Sequence, residues 1–170
     1  MTKRVHALAA VVALLGTAGC KPQAREISPL QRREAASLVS EAHFALSVRD
    51  LARAEVSLAK AVALSPDLGD YWLELGRCRV KLGNRGAAKD AYKSALAAYE
   101  ADAKREPAAR AQAIVRQIYV LALLGRADDG RALLAKALKD DAGNSMLREF
   151  SDTKQIDGML ASPAFKEAAL

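Results

Sequence analysis

A recurrence of small and apolar residues at a spacing of 34 positions constrains the fold of this chain more than any other feature. Three positions in one stretch are matched by three in the next: Ala54, Leu58 and Ala61 by Ala88, Tyr92 and Ala95. Within each stretch these residues are four and three positions apart, which places them on one face of an α-helix. Such a period predicts repeated helical units, each of which buries its apolar face only by stacking on its neighbours.

The second stretch is preceded by Trp72, Leu75 and Gly76, with Leu82-Gly83-Asn84 between them. This arrangement resembles the tetratricopeptide repeat, a helix–turn–helix unit of about 34 residues with a W-x2-L-G-x2-Y…A-x3-F pattern. The resemblance implies an all-α, right-handed superhelical solenoid of paired A and B helices, with the A helices along a concave groove. It implies a binding scaffold rather than an enzyme.

The first and third repeats depart from the pattern in different ways. Repeat 1 has Leu38, Glu41 and Ala42 at the tryptophan, leucine and glycine positions. Repeat 3 is displaced, because its turn and its B-helix positions Leu134 and Ala137 come 42 residues after their counterparts in repeat 2.

The displacement exceeds the period by eight residues, which is close to the roughly 7.2 residues that two helical turns take together. We therefore expect the B helix of repeat 2 to continue through 97–105 and to end at Pro107. This extension carries Tyr99 and several charged residues, and we expect it to project beyond the body of the solenoid.

Capping signals set the predicted boundaries. Ser28 and Gln31 form a capping box with Pro29 at the first helical position, which predicts a helix over 29–48. Asp50 marks the next turn, and the second helix ends near Leu64.

The predicted organisation is a signal peptide at 1–19, a tether at 20–28, about three helix pairs at 29–143 and a C-terminal helical cap at 144–170. The alternative for the last segment is a tail that binds a partner.

The amino terminus has the pattern of a targeting segment. Lys3 and Arg4 precede an uncharged apolar run at 7–19, and Ala18-Gly19-Cys20 follows. This resembles a bacterial lipobox, although Thr17 stands where an aliphatic residue is usual. The resemblance implies cleavage before Cys20 and a lipid anchor of palmitate-type acyl chains on its sulfur. Ordinary signal cleavage nearby and a retained amino-terminal anchor are the alternatives.

Composition favours close helix packing and argues against a nucleic-acid-binding protein. Hydrophobic residues make up 51% of the chain and aromatic residues only 5%. The 26 basic side chains include Lys3 and Arg4, so 24 face 20 acidic ones after cleavage, a net charge of +4. The basic residues are dispersed and not interleaved with aromatic ones, so no nucleic-acid partner is predicted. Cys78 is expected to be a small buried hydrophobe.

No motif predicts catalysis, a metal or a cofactor. After cleavage the chain contains one histidine, His43, and it lies far in sequence from Cys78. A metal site needs three or four clustered ligands, and nucleophilic catalysis needs an oriented base, and neither pattern occurs. Gly83 and Gly125 are turn glycines rather than parts of a phosphate loop. We therefore expect no enzymatic activity.

The groove implied by the repeat is the candidate binding site. The resemblance places the following residues along it: Val39, His43 and Leu46 from repeat 1, Leu73, Arg77 and Lys81 from repeat 2, and Gln112, Arg116 and Tyr119 from repeat 3. We single out His43, Arg77, Lys81, Arg116 and Tyr119. Three of these are basic and favour an acidic protein or peptide partner. The alternative is that they are ordinary solvated positions.

These features predict a lipid-tethered adaptor on the periplasmic side of a bacterial membrane. Lys21 after the lipid site slightly favours the outer membrane, by analogy with enteric bacteria. The alternative is a structural lipoprotein that self-associates through 97–107 and the C-terminal segment, with no peptide in the groove. The oligomeric state is left open by the sequence.

Overall fold

A computed structural model describes residues 26–152 and 154–170 of the chain. These residues form nine α-helices, one 3-10 turn at Pro107–Ala109, and no strand. The helices are α1 Pro29–Ser47, α2 Leu51–Leu64, α3 Gly69–Lys81, α4 Arg85–Arg105, α5 Arg110–Leu123, α6 Ala127–Asp140, α7 Ser145–Asp152, α8 Gln155–Ala161 and α9 Pro163–Ala168. The predicted all-α class is confirmed.

Local signals in the sequence account for several helix starts. The hydroxyl of Ser28 accepts the main-chain N–H of Gln31 at 3.2 Å, and the Gln31 side chain accepts the N–H of Ser28 at 2.9 Å, as the capping box predicts. Asp50 caps α2 by accepting the N–H of Arg53 at 3.0 Å. Asn84 caps α4 in the same way.

The same turn joins the helices of each of the first three pairs. Gly83 and Gly125 have φ angles of 78° and 74°, and Arg49 occupies the equivalent place before α2 with φ of 61°. In all three turns the next N–H donates to a carbonyl five residues earlier, at 2.8–2.9 Å. This is the Schellman arrangement, which favours glycine because the left-handed region costs other residues free energy. Arg49 was not predicted to share the turn.

The recurring positions are buried. Ala54, Leu58, Ala61, Ala88, Tyr92 and Ala95 have no exposed surface, and Leu75, Leu134 and Ala137 are at most 7% exposed. Trp72 is half-buried and donates its indole N–H to the carbonyl of Pro66 at 2.9 Å.

Glycines lie at close contacts between helices. A Cβ at Gly76 would lie less than 3.0 Å from the ring of Tyr92 on α4. A Cβ at Gly130 would lie 3.2 Å from Cγ2 of Ile118 on α5, a contact that a small shift of this side chain would have to relieve. The absence of a side chain lets α5 and α6 approach closely and compensates in part for the low helix propensity of Gly130.

The first six helices pack in chain order, each mainly on the helix before it and the helix after it. Their buried side chains form three clusters along the molecule, centred on α1–α3, on α3–α5 together with α9, and on α5–α8. Within residues 26–152 and 154–170, the buried side chains thus form three clusters rather than one central core.

The extension of α4 to Arg105 is confirmed, but the prediction that it projects is wrong at Tyr99. Tyr99 is 1% exposed, and a Cβ on Gly69 of α3 would lie 2.5 Å from its ring. The exposed residues of the extension are Ala97, Glu100, Ala101, Lys104 and Arg105. The reason is that the added turns lie between α3 and α5, so their apolar side is covered by both helices.

The predicted C-terminal cap separates into two parts. α7 and α8 pack against α5 and α6 through Leu147 and Ile156, as expected for a segment that covers the last helix pair. α9 does not belong to this cap. It lies against α3 and contributes Phe165 and Ala168 to the cluster around Tyr92.

The predicted signal peptide at 1–19, Cys20 and most of the tether lie outside the described residues. Within 26–152 and 154–170, no helix is both long and apolar enough to cross a membrane.

Candidate functional site

Three of the five predicted groove residues line one cleft between α1 and α3. We call it the α1–α3 cleft, and its volume is about 210 Å³. Its lining consists of His43, Leu46, Glu74, Arg77, Cys78 and Lys81. The prediction that His43, Arg77 and Lys81 share a surface therefore agrees with the geometry.

His43 is engaged by an acidic neighbour. Its Nε2 lies 2.6 Å from Oε2 of Glu74, and the two side chains are 57% and 31% exposed. The carboxylate of Glu74 thus occupies one side of the cleft, next to the imidazole of His43. At this level of exposure the pair contributes little to the free energy of folding, because water screens it.

Arg77 and Lys81 supply the unbalanced charge of the cleft. They are four residues apart on α3, so both lie on one side of the helix, and both are exposed. In the described part of the chain, neither forms an ion pair with an acidic side chain. Two such cations beside Leu46 can donate charge-assisted hydrogen bonds to carboxylates of a bound segment.

Cys78 forms the floor of the cleft and is 2% exposed. Its Sγ lies 3.5 Å from the carbonyl oxygen of Leu51 on α2, and burial raises the pKa of the thiol above its ordinary value. A thiol held in its protonated form is a weak nucleophile. The prediction that Cys78 is a buried hydrophobe is confirmed.

Arg116 lies outside the cleft and is already partnered. Its Nη1 is 3.3 Å from Oδ2 of Asp70, and its guanidinium lies 5.6 Å from the ring centroid of Tyr99. The hydroxyl of Tyr99 donates to Oδ1 of the same Asp70 at 2.5 Å. Burial, followed by this hydrogen bond, raises the pKa of Tyr99 above its usual range. Arg116 therefore joins α5 to α3, and Asp70 balances part of its charge.

Tyr119 is covered by the C-terminal helix of the chain itself. Its ring meets Phe165 of α9 edge to face, with centroids 5.8 Å apart and planes at 78°. The predicted groove is therefore open at α1–α3 and occupied at α3–α5.

A second cleft was not predicted from the sequence. It has a volume of about 550 Å³ and lies between the end of α4, α5 and α6. Lys104, Arg110 and Lys136 surround it together with Glu100 and Asp140, and Arg110 pairs with Asp140 at 3.6 Å. The eight-residue insertion was the available signal, because the longer α4 forms one wall of this cleft.

The described residues contain no group of three or more His, Cys, Asp or Glu side chains that could hold a metal ion. Comparison of the sequence with models of known protein families and with curated proteins finds no match.

Proposed function

We propose that this chain is a membrane-tethered scaffold that binds an acidic segment of a partner protein in the α1–α3 cleft. The observation that carries the proposal is the pair of exposed cations Arg77 and Lys81 beside a half-apolar cleft, neither of which forms an ion pair with another described residue. Charge complementarity selects an acidic partner, and Leu46 offers an apolar contact next to it.

The proposed architecture is a tetratricopeptide-like solenoid. Three equivalent turns at Arg49, Gly83 and Gly125 support it, as does the packing of the first six helices in chain order. Solenoids of this kind present extended surfaces for protein partners, whereas catalysis would need clustered reactive groups. The proposal therefore assigns a binding role and no reaction.

The proposed tether is a lipid on Cys20, which would hold the scaffold at the periplasmic face of a bacterial membrane. Replacing Cys20 by serine tests it: the protein should move from the membrane fraction to the soluble fraction. Continued membrane association with an uncleaved amino terminus would instead identify a retained anchor.

The partner is tested by charge reversal in the cleft. The double variant Arg77→Glu/Lys81→Glu should lose co-purification of the partner from detergent-solubilised envelope. The matched control is Lys60→Glu/Lys89→Glu, which changes the net charge equally at exposed helical positions outside the cleft. Arg116 is left intact because it connects α5 to α3.

Equal retention of the partner by both double variants would refute the role of the cleft. The structural alternative, self-association through 97–107, makes a different prediction in sedimentation. Self-association that survives the cleft variant but is lost on deletion of 97–104 would favour that alternative. Burial of Tyr99 against α3 argues against it, because this side chain is not free to contact a second copy.

A further inference from the structure

The short C-terminal helix α9 lies on a surface built by α3, α4 and α5. Phe165 and Ala168 are three residues apart on one side of α9, and both are 6% exposed. Phe165 contacts Tyr119, while the hydroxyl of Tyr92 donates to the carbonyl of Ala168 at 2.7 Å. We call this surface the α9 surface.

Main-chain hydrogen bonds hold the end of the chain in place. The N–H of Leu170 donates to the carbonyl of Leu123 at 3.0 Å, and Arg85 donates to the carbonyl of Ala169 at 3.4 Å. Leu123 is the last residue of α5, where helix carbonyls lack intrahelical partners. The α9 surface thus offers the hydroxyl of Tyr92, the cation of Arg85 and the carbonyl of Leu123 at the end of α5, around an apolar recess.

α9 itself has little capacity to be helical alone. It is six residues long, begins at Ser162-Pro163, and is preceded by the seven-residue helix α8. Helices of this length are unstable in water, because one or two turns do not offset the cost of nucleation. Its helical form therefore depends on the α9 surface, in the way a peptide ligand depends on its receptor.

The α9 surface also adjoins the α1–α3 cleft. Both features use α3: its residues Glu74, Arg77, Cys78 and Lys81 line the cleft, and its residues Trp72, Leu73 and Val80 pack in the cluster that contains Phe165 and Ala168.

We propose that the α9 surface is a second protein-binding surface, and that α9 is its internal occupant. The partner that it fits is a protein terminus that forms a short helix, with an aromatic residue followed three positions later by alanine or another small residue. Such a segment places an aromatic and a small side chain where Phe165 and Ala168 lie. Its main-chain carbonyls accept hydrogen bonds from Tyr92 and Arg85. This surface is distinct from Arg77 and Lys81, so the two proposals can fail separately.

A synthetic peptide with the sequence of residues 159–170 is the probe. The full chain with Phe165→Ala should bind this fluorescent peptide about tenfold or more tightly than the unaltered chain does, because an occupied surface lowers apparent affinity by the fraction that is open. The matched control is Lys166→Ala, which alters an exposed residue of the same helix and should behave as the unaltered chain. A peptide carrying its own Phe165→Ala should not bind.

Three results would overturn the proposal. One is a folded Phe165→Ala chain that does not bind the peptide. Another is equal binding to the altered and unaltered chains. The third is global unfolding of the Phe165→Ala chain, since α9 would then be part of the cooperative fold. The Arg77→Glu/Lys81→Glu chain with Phe165→Ala should still bind the peptide, which separates this result from the fate of the cleft.

Hydrogen exchange on the unaltered chain gives a measurement that needs no substitution. The amides of Ala169 and Leu170 should exchange about tenfold or more faster than those of the α3–α4 core, through local release of α9. Exchange at the rate of the core would show that α9 does not detach separately, and would overturn the proposal.

Discussion

Replacing Gly76 by alanine should destabilise the chain, although alanine is the better helix former. Gly76 lies inside α3, where its Cα hydrogen faces the ring of Tyr92 on α4. An added Cβ would come closer than 3.0 Å to two ring carbons, so either the ring or the helix must move. The ring is fully buried and its hydroxyl is bonded to the carbonyl of Ala168.

The expected magnitude combines three effects. Alanine in a helix interior gains about 1 kcal/mol over glycine. Overpacking a core costs about 1–3 kcal/mol, and displacing the Tyr92 hydroxyl loses a hydrogen bond worth about 1 kcal/mol. The net loss in the free energy of unfolding is therefore about 1–3 kcal/mol, and Tm should fall by about 2–4 °C for each kcal/mol.

Urea denaturation monitored by circular dichroism measures the effect, with Gly86→Ala as the matched control. Gly86 lies in the first turn of α4, and a Cβ there would meet no atom within 4 Å. This control should be neutral or more stable by up to about 1 kcal/mol. If Gly76→Ala is as stable as Gly86→Ala, the close contact between α3 and α4 is not as described. In a Tyr92→Leu background the cost of Gly76→Ala should shrink, because the ring is gone.

Three further predictions concern other parts of the chain. Arg49→Gly should raise the free energy of unfolding by up to about 1 kcal/mol, because it relieves a left-handed residue, and Gly83→Ala should lower it by a similar amount in the same urea assay. Burial raises the pKa of Tyr92 and of Tyr99 in the folded chain, and an unfolded tyrosine ionises near about pH 10. The stabilisation that each buried, protonated tyrosine contributes is thus complete below that pH. It is lost as pH rises further, by up to about 1.4 kcal/mol per pH unit for each tyrosine. Tyr92→Phe should make the fall above about pH 10 less steep, and an unchanged slope would contradict this burial. Ser28→Ala should lower the free energy of unfolding by about 1 kcal/mol through loss of the α1 cap, and an unchanged urea midpoint would contradict the cap.

Much of the helical framework could be predicted from local chemistry. The capping box at Ser28 and the turn at Gly83 each depend on residues close together in sequence, whereas the extension of α4 was predicted from the spacing of the repeats. Local signals of this kind act over three to five positions, so the sequence displays them directly. The turn at Arg49 was missed because an arginine gives no local indication of a positive φ angle.

The candidate site was predictable only in part, because its partners come from distant positions. Repeat spacing brought His43, Arg77 and Lys81 together correctly, since all three lie on neighbouring helices of the same pattern. It did not reveal that Asp70 would engage Arg116, 46 positions further along the chain. Nor could amphipathic spacing alone identify α3 and α5 as the surface that receives Phe165.

The position of Cys78 gives the molecule an internal reporter of its own opening. It is the only cysteine among the described residues, it is 2% exposed at the floor of the α1–α3 cleft, and its sulfur contacts Leu51 of α2. We expect a thiol reagent to react with it mainly when α3 moves away from the first helix pair. The labelling rate of Cys78 in a Cys20→Ser chain would therefore measure how often the first helix pair detaches from the second. Comparison of this labelling rate with the rate of global unfolding would show whether the chain unfolds unit by unit or in one step. Either behaviour is open to a fold in which each unit contacts only its neighbours along the chain.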